Sequence, residues 1–278
     1  MDFSGKVVVV TGAANGIGRE IARAFARRGA RLALADVDET RLLGVKDELE
    51  ALGAETYTQV VDVSVAEQVK DFCDSVYREM GRVDVLCNNA GVAAAGNFED
   101  MTLEDLRWVV GVNLQGVIHG CHYFYPRMVD QGGRGQIVNT ASAGGLIPFP
   151  SLAVYCGTKY GVVGLSETLR AEAALHGIGV SVICPGVIAT DIVERSRVRS
   201  GSKRSTPGEM SVKVDRVVKS RSYGPDRVAS AVVRAVERNR GVALVTPEAY
   251  AMDYLHRTSR RAFDFIMRNA ARIAQKIM

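Results

Sequence analysis

Seven short apolar runs, each followed by a segment with apolar residues at helical spacing, constrain this chain more than any other feature. The runs cover residues 6–11, 31–36, 56–63, 83–88, 136–141, 180–184 and 243–246. They are apolar almost throughout instead of alternating, as strands covered on both faces are. Between them, residues such as Ile17, Ile21 and Phe25 recur at helical spacing, and most intervals are long enough for one crossover helix. Alternating β and α elements predict an α/β fold: a single domain with a doubly wound, seven-stranded parallel sheet between two helical layers. Gly29, Gly53 and Gly81 stand where helices should stop, and Ser64 and Thr102 where helices should be capped.

The chain has 278 residues, 47% of them hydrophobic, which suffices for one large core. Five cysteines (Cys73, Cys87, Cys121, Cys156 and Cys184) form no C-x-x-C pair. That pattern predicts free thiols in a reducing, cytoplasmic setting. No signal peptide and no membrane-spanning run are expected. Residues 191–223 break the rhythm with nine basic and four acidic residues, a segment too long for a simple connection. A tail of about 30 residues after Pro247 reads as helix. The expected organisation is a domain over residues 1–247, carrying a lid segment at 190–223, and an amphipathic extension over 248–278.

The first run leads into Thr11-Gly12-Ala13-Ala14-Asn15-Gly16-Ile17-Gly18, and a helical pattern begins at once. A strand, a glycine-rich turn and a helix N-terminus suit a diphosphate: glycines admit close backbone approach and the helix end offers free N–H groups. This is the start of a Rossmann-type sheet, and Asp36, about 20 residues on, stands where a carboxylate accepts the adenosine ribose hydroxyls. A 2′-phosphate there would meet a negative charge that neither Asn15 nor Val37 offsets, so NAD is expected over NADP. Asp62-Val63 and Asn88-Asn89-Ala90-Gly91 fall at carboxyl ends of strands, where ligands bind in such sheets. By spacing alone, the asparagine pair is equally a turn.

Ser142 ends the fifth run, and thirteen residues later comes Tyr155-Cys156-Gly157-Thr158-Lys159. A Tyr and a Lys four apart share one helix face. An unperturbed phenol titrates near 10, and lowering it by about 3 units takes roughly 4 kcal/mol. A fixed ammonium acts in that direction, and Ser142 can hold a substrate oxygen.

Taken in order and spacing, residues 11–18 and 88–91, Asn113, Ser142, Tyr155, Lys159 and Pro185-Gly186 resemble the short-chain dehydrogenase/reductase family over about residues 4–190. The resemblance implies that Tyr155 is the general acid/base and that Lys159 lowers its pKa and holds the nicotinamide ribose. It further implies that Ser142 orients the substrate and that Asn113 keeps a water in a proton relay. Gly12, Asn15, Gly16, Ile17, Gly18 and Asp36 would bind the cofactor at one end. Asp62 and Val63 would contact adenine, Asn89 with Ala90 and Gly91 the adenosine ribose region. Pro185, Gly186, Val187 or Ile188, and Thr190 would meet the nicotinamide. The implied chemistry is hydride transfer between NAD(H) and an alcohol or ketone.

The partner expected is a small-molecule alcohol or ketone, not a nucleic acid. The apolar stretch at residues 145–150 and the tail lean towards a fairly apolar secondary alcohol, steroid- or retinoid-like. The basic stretch over 195–221 reads either as a solvated lid or as an attractor of anionic substrates, which would suit a 3-oxoacyl thioester reductase. A non-catalytic NAD-binding redox sensor is a third reading, opposed by the presence of Ser142, Tyr155 and Lys159. His119, Cys121 and His122 are expected to pack in a core helix instead of binding metal, and Cys156 to face away from the site.

In the tail, Phe263, Ile266, Met267, Ala270, Ile273 and Ile277 project to one side, and Arg261, Arg268, Arg272 and Lys276 to the other, with Phe265 among the basic group. Such a helix packs on its own domain or a partner subunit, or makes peripheral contact with an anionic membrane surface. The family's usual Val-Asp-Gly-Gly ending is replaced by Val245-Thr246-Pro247, which weakens the case for a tetramer. A homo-oligomer is expected, its dimer formed through helices near residues 103–128 and 152–176.

Overall fold

Apolar runs without alternation must be covered twice, so strand residues divide between two cores. The computed structural model describes residues 2–189, 196–199 and 223–277. Its strands are β1 (Val7–Thr11), β2 (Arg31–Asp36), β3 (Thr56–Val60), β4 (Val85–Asn88), β5 (Ala94–Ala95), β6 (Gly135–Thr140), β7 (Ile178–Cys184), β8 (Arg197–Val198) and β9 (Val242–Leu244). Seven of them form one parallel sheet in the order β3-β2-β1-β4-β6-β7-β9. This is the expected doubly wound, three-layered α/β domain.

Val8 and Val10 face one core with Phe25 of α1 (Gly16–Ala26), Leu49 of α2 (Glu39–Ala51) and Val232 of α7 (Pro225–Arg238). Val7 and Val9 face the other with Phe72 of α3 (Ala66–Met80), Phe124 of α5 (Gly116–Asp130) and Val162 of α6 (Ala153–Ala173). A further helix, α4 (Leu103–Val110), runs into α5 through a π-helical turn, Gly111–Gln115. Because β1 lies between β2 and β4, successive connections leave it in opposite directions. The crevice this opens at the carboxyl ends of β1 and β4 is where such sheets bind ligands.

Gly29, Gly53 and Gly81 follow their helices with left-handed φ values of 77°, 83° and 77°. Thr102 caps α4, its hydroxyl accepting the Asp105 N–H at 3.2 Å. Ser64 does not cap α3: Val65 holds that position, and the Ser64 hydroxyl donates instead to Asp62 Oδ1 at 2.7 Å. The third strand, expected to reach residue 63, ends at Val60. Asp62 turns the chain by accepting the Ser64 N–H at 2.9 Å, which takes its backbone out of the ladder.

The tail is two helices, α8 (Pro247–Thr258) and α9 (Arg260–Ile277), broken at Ser259. Of the surfaces weighed for it, its own domain receives Phe263. That ring is 1% exposed and packs with Ala143, Ile147 and Ala249, flanked by Met252, Leu255 and Met267. The stripe is not fully covered, since Ile266 is 40% exposed, and Phe265 on the basic side is 69% exposed. Among the described residues, no helix is long and apolar enough to cross a membrane. Replacing Phe263 by Ala is expected to cost about 3–5 kcal/mol in urea unfolding. Phe265→Ala should stay within about 0.5 kcal/mol; equal effects would detach the tail from the fold.

Candidate active site

A turn that brings backbone N–H groups to a ligand cannot carry side chains on its inner surface. Gly12 has φ +67°, and a Cβ on it would lie 2.7 Å from Ala90 Cα. A Cβ on Gly18 would overlap the Gly12 carbonyl. Gly16 opens α1 with φ +50°, and Asn15 at the N-cap makes no side-chain cap bond. The first-turn donors around Gly16, Ile17 and Gly18 are therefore left for a ligand. Asp36, 7% exposed at the end of β2, accepts the Ala14 N–H at 2.9 Å and the Asp38 N–H at 3.1 Å. Its carboxylate retains acceptor capacity for ribose hydroxyls. This donor set fits a dinucleotide.

Asn89 performs a task that spacing did not reveal. Its Nδ2 donates to the Thr11 and Gly12 carbonyls at 3.2 and 3.3 Å, while Thr11 Oγ1 accepts the Asn89 and Ala90 N–H groups at 3.0 and 3.2 Å. These bonds tie the β4 end to the glycine turn. Asp62, expected at adenine, has one carboxylate oxygen engaged by Ser64, and Val63 is buried. At the other end of the crevice the Pro185 carbonyl accepts the Ala143 N–H at 2.7 Å. Gly186 abuts Thr246 and Glu248 of the tail's first turn, where a Cβ would overlap the Thr246 hydroxyl. Ile188 is buried in the first core. Thr190 and most of the lid lie outside the described residues.

The four expected catalytic side chains converge. Ser142 stands two residues beyond the end of β6, and its hydroxyl accepts the Gly144 N–H at 3.0 Å. A Cβ on Gly144 would stand 3.4 Å from the Tyr155 ring and 3.5 Å from Ser142 Oγ, so both flank one point. Asn113 sits fully buried in the π-turn, its side chain clamping Val92 through both the N–H (2.8 Å) and the C=O (2.9 Å). Widened turns of this kind occur at functional sites. From the Gly91 side, a Cβ would lie 3.4 Å from Asn113 Oδ1 and 3.6 Å from Lys159 Nζ.

Lys159 is 3% exposed and donates to the Thr140 carbonyl at 2.9 Å. Burial lowers its ammonium to about 8. Burial raises the Tyr155 phenol, opposed by a hydrogen bond from Ser142, and Lys159 Nζ lies 5.8 Å from the ring centroid while donating to Thr140. A phenol held up in this way is protonated at neutral pH and stands as a proton donor. Cys156, expected to face elsewhere, is buried next to Gly144.

His119 Nδ1 lies 2.9 Å from the Val63 carbonyl, and Cys121 joins the buried Asn88–Asn139 pair, so both pack within the domain. The five cysteines are buried and unpaired.

Residues 6–200 match the family described as short chain dehydrogenase. The chain belongs to that family. Its relatives include the Probable oxidoreductase EphD of Mycobacterium tuberculosis, 40% identical over 272 residues, 98% of this chain and 45% of the relative. The chain thus spans about half the length of the first curated relatives it matches. A short chain dehydrogenase/reductase from Burkholderia phymatum, crystallised with NAD, superposes with a TM-score of 0.86 at 37% identity, covering 92% of this chain and 94% of that one. An alcohol dehydrogenase from Thermococcus sibiricus, complexed with 5-hydroxy-NADP, superposes with a TM-score of 0.72 at 29% identity, covering 87% and 95%.

Two features of this short-chain dehydrogenase escaped sequence reasoning because they depend on backbone placement: the Thr140 carbonyl that holds Lys159, and Asp105, fully buried against Arg197 and Arg199. For Asp105 the available signal was Thr102 three residues earlier, which marks a cap and nothing more. The lowered lysine has a consequence for stability. Between the folded value of about 8 and the ordinary lysine value of 10.5, the unfolded chain binds a proton that the folded chain does not. Stability therefore rises with pH through that window. The difference in unfolding free energy between the native chain and Lys159→Met should grow by about 3 kcal/mol from pH 8 to 10.5. A flat difference curve would contradict the buried charge.

Proposed function

We propose that the chain interconverts a fairly apolar secondary alcohol and its ketone with NAD(H) as the hydride carrier. The observation that carries the reading is the convergence of Ser142, Tyr155, Lys159 and Asn113 at the end of the crevice whose other end is the glycine turn and Asp36. NAD(H) supplies the hydride acceptor or donor when bound. Gly12, Gly16, Ile17 and Gly18 hold its diphosphate on the α1 N-terminus, with Asn15 at the N-cap. Asp36 takes the adenosine ribose, and its negative charge disfavours a 2′-phosphate.

Tyr155 and Ser142 bind the substrate oxygen together. In reduction the phenol gives its proton to that oxygen, and in oxidation it takes the hydroxyl proton back. Lys159 holds a positive charge beside the crevice, and Asn113 fixes the Gly91–Val92 backbone that faces it. Asp62, Val63, Asn89, Ala90 and Gly91 line the adenosine side, and Pro185, Gly186, Ile188 and Thr190 the nicotinamide side. An apolar substrate is supported by Ile147 and Phe149, which join a cluster with Phe263 just beyond Ser142. Unpaired cysteines suit the cytoplasm. A homo-oligomer is supported by Ile118 and Tyr160, about 40% exposed on α5 and α6.

Tyr155→Phe should lower kcat by at least about 10²-fold, the lower bound for removing a general acid/base, while NADH titrated by fluorescence binds nearly as before. Retained turnover would refute the role. With the native chain and a panel of secondary alcohols and ketones, kcat/KM should favour NAD(H) over NADP(H) by about tenfold or more. Equal use of both would remove Asp36 as the selector.

A further inference from the structure

A basic segment beside an active site attracts anions only if its charges are free. Two of the lid's arginines are not. Arg199 makes a two-point fork with Asp105, Nε to Oδ2 at 2.8 Å and Nη2 to Oδ1 at 3.1 Å. Arg197 reaches Asp105 Oδ1 at 3.2 Å and Glu104 Oε1 at 3.0 Å, with its guanidinium 4.4 Å above the Trp108 ring. Thr102 Oγ1 donates to Asp105 Oδ2 at 2.8 Å. The Asp105 side chain is fully buried, so its charge is stable only with these partners. Two guanidinium groups and two carboxylates cancel.

The same contacts place backbone. β8 pairs in parallel with β5 through Arg197 N–H to the Ala93 carbonyl at 3.1 Å and Arg199 N–H to the Ala95 carbonyl at 2.8 Å. A two-residue pairing is too short to persist unaided. Gly96 receives the Arg199 carbonyl so closely that a Cβ would lie 2.7 Å from it, and its N–H donates to the Ser151 carbonyl at 2.9 Å. Ala94, Gly96, Phe98, Met101 and Val154 border a small cleft there, and Val154 precedes Tyr155.

We infer that Asp105 is a positioning residue for substrate selection: it pins β8 beside β5 as a charge-neutral rim of the substrate cleft, which favours neutral apolar alcohols over anionic ones. The inference rests on the proposed oxidoreductase function. Arg197 and Arg199, being paired, add no free positive charge for an anionic carrier.

The test uses Asp105→Asn, with Arg199→Gln as a second variant should the first fail to fold. Substrates are 2-decanol and 3-hydroxydecanoate with NAD. For Asp105→Asn, KM for 2-decanol should rise about tenfold, and the kcat/KM ratio of the anionic to the neutral alcohol should rise by about tenfold or more, each the effect of roughly 1.4 kcal/mol. NADH affinity, read by fluorescence, should stay within about twofold of native. Amide exchange in a peptide spanning residues 196–199 should accelerate in the variant. Unchanged exchange overturns the clamp whatever the kinetics show. Faster exchange with unchanged KM and ratio overturns the role in selection. A native chain inert towards both alcohols and a wider carbonyl panel overturns the function reading and selection together, while exchange still decides the clamp.

Discussion

Gly18 at the start of α1 packs on the carbonyl of Gly12, and Asn89 from the neighbouring strand end binds that same carbonyl and the one before it. This contact fixes how closely the first helix approaches the sheet. With the turn held from both sides, the first-turn N–H groups are presented as a set, and Asp36 is fastened to the turn through the Ala14 N–H. The β4 end is carried along by the same bonds, so Gly91 comes to face Lys159 and Asn113. A side chain at either glycine would separate the two halves of the crevice before it touched any ligand.

Burial governs the chemical end. Lys159 is enclosed with the Thr140 carbonyl as its partner, and its ammonium is held near 8. Tyr155 is shifted in the protonated direction for the same reason. Desolvation disfavours the charged form of both groups: a neutral phenol and a weakened ammonium are the two sides of one low-dielectric site. Ser142 opposes that tendency at Tyr155, which gives the serine an electrostatic part as well as a hydrogen-bonding one. Such a site costs stability, and the two large cores on either face of the sheet offset it.

Two outer segments pack near the Ser142–Tyr155 end of the crevice in different ways. The tail contributes packing: Phe263 stands against Ala143 and Ile147, directly beyond Ser142, and Thr246 with Glu248 closes on Gly186. Residues 197–199 contribute the short β8 strand, held to α4 by Asp105. Both reach the neighbourhood of Tyr155 from parts of the chain more than forty residues away.

The sequence alone determined the sheet and the residues of the crevice, because both are encoded locally. A buried parallel strand is a short apolar run, a helix stop is a glycine at left-handed φ, and Tyr155 and Lys159 share a face because they are one turn apart. Asp36, Ser142 and Asn113 were legible as members of a pattern, each at a fixed distance from its own element. What tertiary structure decided lies in contacts between distant segments, where no periodicity exists to read. The direction of Lys159 towards Thr140, the bonds of Asn89 to the glycine turn, the β5–β8 pairing and the neutralisation of Arg197 and Arg199 all belong there. A run of basic residues looks the same in sequence whether its charges face water or a buried carboxylate, and only the fold brings Asp105 to it.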